Sequence, residues 1–420
     1  MDEPPPRAVH VRRLLGAALA TPGLADAELA ALARLQRVID DDIAPLAVEV
    51  DACGRYPSRS IAALKRSGIL KTAVPAAFGG LGASHHLSFE AQVRLAAADS
   101  SVAQIFKIHD ELVREIFRYC PDGFGPTLAR LVVDEEAIIG LAVAEAGRKV
   151  DDPMTTVALR QDDGGYVIRG RKIYTTGAAE ADHIAVWAFD PVAGGGDNPF
   201  LGMELNLVPR DAPGVTVHRD WDALGQRATD SGTVSFDDVR TDPAMRAKDA
   251  SRWPALHAPL RYQAGFAAVL VGLGVGALAA AVPFVNGSSR SWPSAGVDSA
   301  ADDPMVRRLT GELVADLAAA YSLVHTTADL FDAFEDDRIG RTELAIPVYA
   351  AKATASRAGL RATSEIYTLM GTRSVAHQHG FDRWWRNART VSLHDPVEWK
   401  HAEIGQHVLT GWDPPFGIYT

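Results

Sequence analysis

The sequence predicts an α+β protein laid out as helices, then strands, then helices. Three observations carry that prediction. Apolar residues recur at helical spacing up to about residue 137. Between 138 and 248 the apolar runs shorten, and β-branched residues and turn signals take over. From 249 to 420 helical spacing returns in longer segments. The expected units are a flexible lead at 1–23, an N-terminal helical domain at 24–137, a middle β domain at 138–248 and a C-terminal helical domain at 249–420.

The lead, "MDEPPPRAVHVRRLLGAALATPG", begins acidic and proline-rich, and arginines break its short apolar run, so it does not fit a signal peptide. "DAELAALARLQRVIDDDIAPLAVEVD" has an acidic start and helical apolar spacing. "SRSIAALKRSGIL" carries Gly68 as a candidate helix terminator. "PAAFGGLGASHH" reads as a glycine-rich loop, and "SFEAQVRLAAADSSVAQIFKIHDELVREIF" as a long helical pattern.

In the middle region "AIIGLAVA", "TTVALRQ", "GYVIRGRKIYTTG", "DHIAVWAF", "GMELNLVP" and "GTVSFDDV" read as strands. DDGG at 162–165, AGGGDN at 193–198 and DAPG at 211–214 separate them. So many short strands in one region suggest a small barrel or sandwich.

The C-terminal region holds "FAAVLVGLGVGALAAAVPFV" at 266–285, uncharged and long enough to cross a bilayer. It is Gly- and Ala-rich and contains Pro283, and we read it as the buried centre of a helical bundle, with small residues at Gly265, Gly272 and Gly276 allowing close approach. A polar loop, "NGSSRSWPSAGVDSAADDP", separates it from the next long helix.

The chain has 420 residues and a net charge of −11 without a basic stripe, which argues against a nucleic-acid partner. Its two cysteines, Cys53 and Cys120, form neither a disulfide framework nor a metal pattern, and a reducing cytoplasm is expected.

Several local patterns bear on chemistry. "GLGVG" at 272–276 lacks the preceding strand and following acid of a dinucleotide site, so helix packing is the better reading. P-loop, HExxH and G-x-S-x-G patterns are absent, and "HQH" at 377–379 lacks a third ligand. No metal is expected. His109 falls on the stripe marked by Val102, Ile105, Phe106, Leu112, Val113 and Ile116, either as a hydrogen-bonded core histidine or as a pocket-lining one. Thr175 and Thr176 end a strand before Gly177, and alternation would point one inward and one outward. Arg290 and Arg373 sit in or beside loops, where two converging arginines can grip a phosphate. His394 and Asp395 stand side by side after the cationic, aromatic run "FDRWWRNAR".

Taken in order, "AAADSSVAQIFKIH", "LAVAEAG", "GRKIYTTGAAEADHIAVWA", "DALGQRATDSGTVSFDDV" and "FDRWWRNART" resemble the acyl-CoA dehydrogenase fold over nearly the whole chain. That resemblance implies a helical N-terminal domain, a middle β-barrel and a C-terminal four-helix bundle. The tail from Gly371 to Gly411 is similar to the two-component flavin-dependent monooxygenases of that fold, the dibenzothiophene monooxygenase-like branch. Dehydrogenases place a glutamate base in an I-Y-E-G-T segment, whereas this chain reads "LHDPV", and residues 255–286 carry no acid at the alternative position.

The resemblance implies an enzyme that uses reduced FMN and O₂, through a flavin C4a-hydroperoxide, to oxygenate a small aromatic or heterocyclic substrate at S, C or N. A separate NAD(P)H-dependent reductase would supply the flavin, and a homotetramer is implied. An FAD-dependent acyl-CoA dehydrogenase with Asp395 as an unusual base is the alternative, followed by amine or amino-sugar N-oxygenation on the same fold. "RSWPSAGV" departs from the R-x-x-F-G segment that contacts the adenine half of FAD, which favours FMN. By resemblance His394, His109 and Thr176 are the catalytic candidates. Thr175, Thr176, Gly177, Ser231, Arg290 and Arg373 would hold the cofactor, and Asp395 and Asp110 would line the substrate pocket. At one point the pattern breaks: sulfur oxygenases of this branch carry adjacent histidines where this chain has His109-Asp110.

Overall fold

The computed structural model describes residues 23–120, 123–147, 152, 154–193, 202–247, 257–415 and 417. Nearly all of the expected lead, residues 1–22, and most of the AGGGDN turn lie outside them.

The N-terminal domain contains α1 (Asp26–Val38), α2 (Ala47–Cys53), α3 (Ser58–Ser67), α4 (His85–Ala96), α5 (Ser100–Tyr119) and α6 (Gly125–Ala129). Gly68 terminates α3 in the left-handed region at φ 75°, where a side chain would be strained. The single long helix expected after residue 88 is two helices. Asp99 breaks it, because its carboxylate accepts the amides of Ser101 and Val102 and so caps α5. Helix α5 is buried on nearly every side, charged residues included.

The strands are β1 (Ile139–Ala142), β2 (Val157–Arg160), β3 (Tyr166–Lys172), β4 (His183–Phe189), β5 (Met203–Pro209), β6 (Val215–Val217), β7 (Val234–Arg240) and β8 (Arg246–Ala247). Strands β6 and β8 were not apparent in the sequence. The sheet order is β6-β7-β3-β2-β4-β5-β8. Strand β1 runs parallel to β4 along 183–186, while β2 meets the same edge only at Phe189, so the sheet splays there into an open barrel. Period-two alternation divides β4 between two cores. Ile184, Val186 and Ala188 fill the barrel interior. Ala185 and Trp187 face the N-terminal helices, packing with Leu112, Val113 and Ile116.

The C-terminal domain consists of α7 (Ala258–Gly287), α8 (Pro304–Glu335), α9 (Arg341–Met370), α10 (Asp382–Ser392) and α11 (Val397–Thr410). Helix α7 is long and apolar enough to cross a membrane, but 72% of its most apolar window is buried inside the protein. Its glycines explain how. A Cβ at Gly276 would lie 2.5 Å from the Ala97 carbonyl and 2.6 Å from the Trp384 ring, so only glycine lets α4 and α10 approach.

Candidate functional site

Two groups of side chains meet where α5 passes between the sheet and the bundle. The first surrounds residues 174–177. These residues form a turn rather than the end of a strand, because β3 stops at Lys172 and Tyr174 takes φ 54°. Consequently Thr175 and Thr176 are both buried and do not alternate between core and solvent. The Thr175 hydroxyl donates to the Gly232 carbonyl at 2.8 Å. Thr176 Oγ1 lies 3.0 Å from Ser231 Oγ, which is 2.7 Å from Thr229 Oγ1. Gln104 Nε2 on α5 donates to Thr176 Oγ1 at 3.4 Å. Gly177 has φ 76° and its amide donates to the Thr229 carbonyl, so two loops of the β domain are stitched together at this point.

Gln226 anchors that cluster to both helical domains. Its side chain donates to Gln104 Oε1 at 2.8 Å and to the Ser100 carbonyl, and it accepts from Ser100 Oγ. Its main-chain amide donates to Asn387 Oδ1 at 2.6 Å. Asn387 and Arg386 in turn hold Asp51. The "RNAR" stretch therefore serves as a clamp, joining α10 to the loop before β7. Sequence reading missed Gln104 and Gln226. Gln226 sits at φ 50°, a conformation that its residue type does not announce.

The second group lies at the other end of α10. The His394 ring packs on Phe266 of α7, centroids 4.2 Å apart. Neighbouring groups surround the ring, yet 36% of its side-chain surface is accessible, so one side of it is open to solvent. Burial lowers its pKa to about 4, helped by Lys352 and Lys107 and opposed by Asp395, so the imidazole is neutral near pH 7. Asp395 does not line an open pocket as expected. It is buried, with Lys352 Nζ at 3.2 Å, His394 Nδ1 at 3.7 Å and Lys400 Nζ at 3.8 Å. Burial works against its charge, but these partners outweigh it and hold the carboxyl well below the usual range. A carboxylate so stabilised is a poor base for an α-proton.

The first group connects to the second through α5. One turn beyond Gln104, the Lys107 ammonium lies 3.8 Å from the centre of the Phe266 ring. Lys107 and Glu111, an i,i+4 pair bonded at 2.8 Å, were legible as a helical ion pair but were not singled out.

His109 and Asp110 stand apart from this site, which corrects two expectations. His109 is fully buried, with Nε2 2.9 Å from the Leu70 carbonyl and the Ile139 amide donating to Nδ1. Both ring nitrogens serve the main chain and burial lowers the pKa, so it is the core histidine of the two readings. Asp110 accepts from Ser88 Oγ at 2.7 Å and pairs with Arg114. Arg290 and Arg373 are exposed, and neither pairs with a carboxylate among the described residues. Ser289 donates to the Met370 carbonyl at 2.9 Å, which brings their two loops together. No hydrogen bond or ion pair among the described residues joins them to the Thr176 cluster.

The N-terminal, middle and C-terminal acyl-CoA dehydrogenase domain models match residues 25–122, 140–239 and 264–399. The chain is 34% identical over 385 residues to dibenzothiophene monooxygenase of Rhodococcus qingshengii, covering 88% of this chain and 90% of the relative. It is 30% identical over 397 residues to the probable FMNH2-dependent monooxygenase SfnC of Pseudomonas putida, covering 92% and 96%. The FMN-bound crystal structure of TdsC from Paenibacillus sp. A11-2 superposes with a TM-score of 0.86 at 30% identity, covering 93% of this chain and 100% of that one. With this likeness in sequence, domain order and three-dimensional structure, the chain belongs to the acyl-CoA dehydrogenase family, in the branch that includes dibenzothiophene monooxygenase.

Proposed function

We propose that this protein is an FMN-dependent monooxygenase that receives reduced flavin from a separate NAD(P)H-dependent reductase and oxygenates a small molecule. The relatives' names and the FMN-bound neighbour support this reading. The observation that carries it is the pairing of a hydroxyl-and-amide cluster at Thr176, Ser231 and Gln104 with a neutral histidine, while the neighbouring Asp395 is neutralised by lysines.

The residues present fit a flavin mononucleotide. Thr176, Ser231 and Gln104 offer donors and acceptors to the polar edge of its ring. Arg290 and Arg373 offer two guanidinium groups to its phosphate, each unpaired with a carboxylate among the described residues. When bound, FMN supplies the oxygen-activating redox chemistry. The chain contributes the rest. Helices α5, α7 and α9 bury Lys107, Phe266 and Lys352 away from water beside His394. His394, neutral at working pH, would accept or return a proton at its ring nitrogen. Phe266 packs against that ring, and Lys352 and Lys400 keep the neighbouring Asp395 charged.

Association into a homotetramer belongs to the same proposal. Trp292, Leu393, Trp399, Val408 and Leu409 are all more than half exposed in the single chain, and burying such residues is a usual reason to associate. A cytoplasmic setting belongs to the proposal too, since two cysteines in 420 residues make no disulfide framework.

The test couples the protein to a flavin reductase with NADH, FMN and O₂ and measures oxygenated product against hydrogen peroxide over a panel of small sulfur, aromatic and amine compounds. Product from any of them supports the reading. Anaerobic bleaching of tightly held FAD by an acyl-CoA would support a dehydrogenase instead.

A further inference from the structure

We infer that the cleft beneath His394 receives a small organic oxyanion, a carboxylate, sulfinate or sulfonate, held between the ammonium groups of Lys107 and Lys352. This rests on the monooxygenase reading and deepens it by naming the class of substrate.

Lys107 comes from the N-terminal domain and Lys352 from α9, and both are fully buried. Their ammonium groups converge on one ring, lying 3.8 and 4.8 Å from the centre of Phe266. Buried cations need compensation, and two around one ring repel each other. The compensation here is incomplete. Lys107 has a single hydrogen bond among the described residues, to Glu111. Lys352 lies 3.2 Å from Asp395 Oδ1 but out of line for a hydrogen bond, and Asp395 is shared with Lys400 and His394. Gln92 is fully buried, and neither atom of its amide has a partner among the described residues. It belongs to the same place, since a Cβ at Gly265 would touch Glu111, Lys107 and Gln92 together.

An oxyanion satisfies this arrangement. Its oxygens would take the free N–H groups of Lys352 and Gln92 and relieve the repulsion between the ammonium groups. Its organic part would rest on Phe266 and His394. An amine is disfavoured, because a third cation would join Lys107 and Lys352 around the ring. A neutral polycyclic heterocycle would fill the cleft without relieving either charge.

The experiment uses the full chain, with and without FMN, and isothermal titration of four probes: benzoate, benzenesulfinate, the neutral methyl phenyl sulfone and the cationic benzylamine. The two anions should bind about tenfold or more tightly than the sulfone or the amine. Lys352→Met should weaken anion binding by about tenfold while leaving FMN affinity, read by fluorescence quenching, within roughly twofold. Lys107→Met alone would strand Glu111, so the K107M/E111Q double variant is used, with the same loss expected. Equal or tighter binding of the sulfone or benzylamine by the unmodified protein overturns the inference. Failure of FMN to bind would instead overturn the flavin reading, and the flavin-free titrations would still judge the lysine cleft.

Discussion

The rings of His394 and Phe266 lie 4.2 Å apart, centroid to centroid, tilted by 38°. This contact joins the loop after α10 to the first turns of α7 and fixes which way the imidazole faces. It also places His394 over the ring that Lys107 and Lys352 flank, so one phenylalanine ties the candidate proton-transfer group to both buried cations.

His394→Ala should lower the rate of oxygenation about 100-fold while FMN affinity stays within roughly twofold. Product formation against peroxide release reads the oxygenation rate, and flavin fluorescence reads the affinity. Parallel loss of flavin binding and turnover would make the residue structural.

The pH profile offers a second check on the same side chain. With its pKa lowered to about 4, His394 stays neutral from pH 5 to 8. The rate should therefore show no limb near the ordinary histidine value of about 6.5 and should fall only as pH approaches 4. An acid limb at 6.5 that vanishes in His394→Ala would contradict the environment described.

Thr176→Val keeps the shape of the side chain but removes the hydroxyl that meets Ser231 and Gln104. A loss of about 1 kcal/mol in FMN binding, some fivefold in Kd, is expected. Thr175→Val should act chiefly on stability, because its hydroxyl is spent on the Gly232 carbonyl.

Acid should weaken the seam between the helical domains. Arg261, fully buried, bonds Glu115, Glu335, His85 and His257 at 2.6–2.7 Å. Burial, with Arg261 beside them, lowers both histidine pKa values. A depressed folded-state pKa gives stability that is present above the unfolded value of about 6.5 and lost as pH falls below it. The melting temperature should accordingly drop between pH 6.5 and 5. Arg261→Met, which strands Glu115 and Glu335, should cost about 3–5 kcal/mol at pH 7 and blunt that dependence.

Gly276→Ala should destabilise by about 1–3 kcal/mol in denaturant titration, since its Cβ has no room between Ala97 and Trp384.

The α–β–α order, the major strands and the burial of α7 were legible in the sequence, because hydrophobic period and turn residues are local signals that each segment carries by itself. So was the run of motifs that identifies the family. The pair His394 and Asp395 could be singled out, but not that Asp395 is held by two lysines, one of them 43 positions away in the chain. The roles of His109 and Asp110 depended on partners such as Leu70, Ser88 and Arg114, and spacing along one helix cannot reveal which groups a neighbouring element will supply. The meeting of Lys107 and Lys352 on one ring was likewise decided only by how the domains pack. Charge and hydrogen bonding act through space over a few ångströms, whereas the sequence records order along a chain that folding brings together.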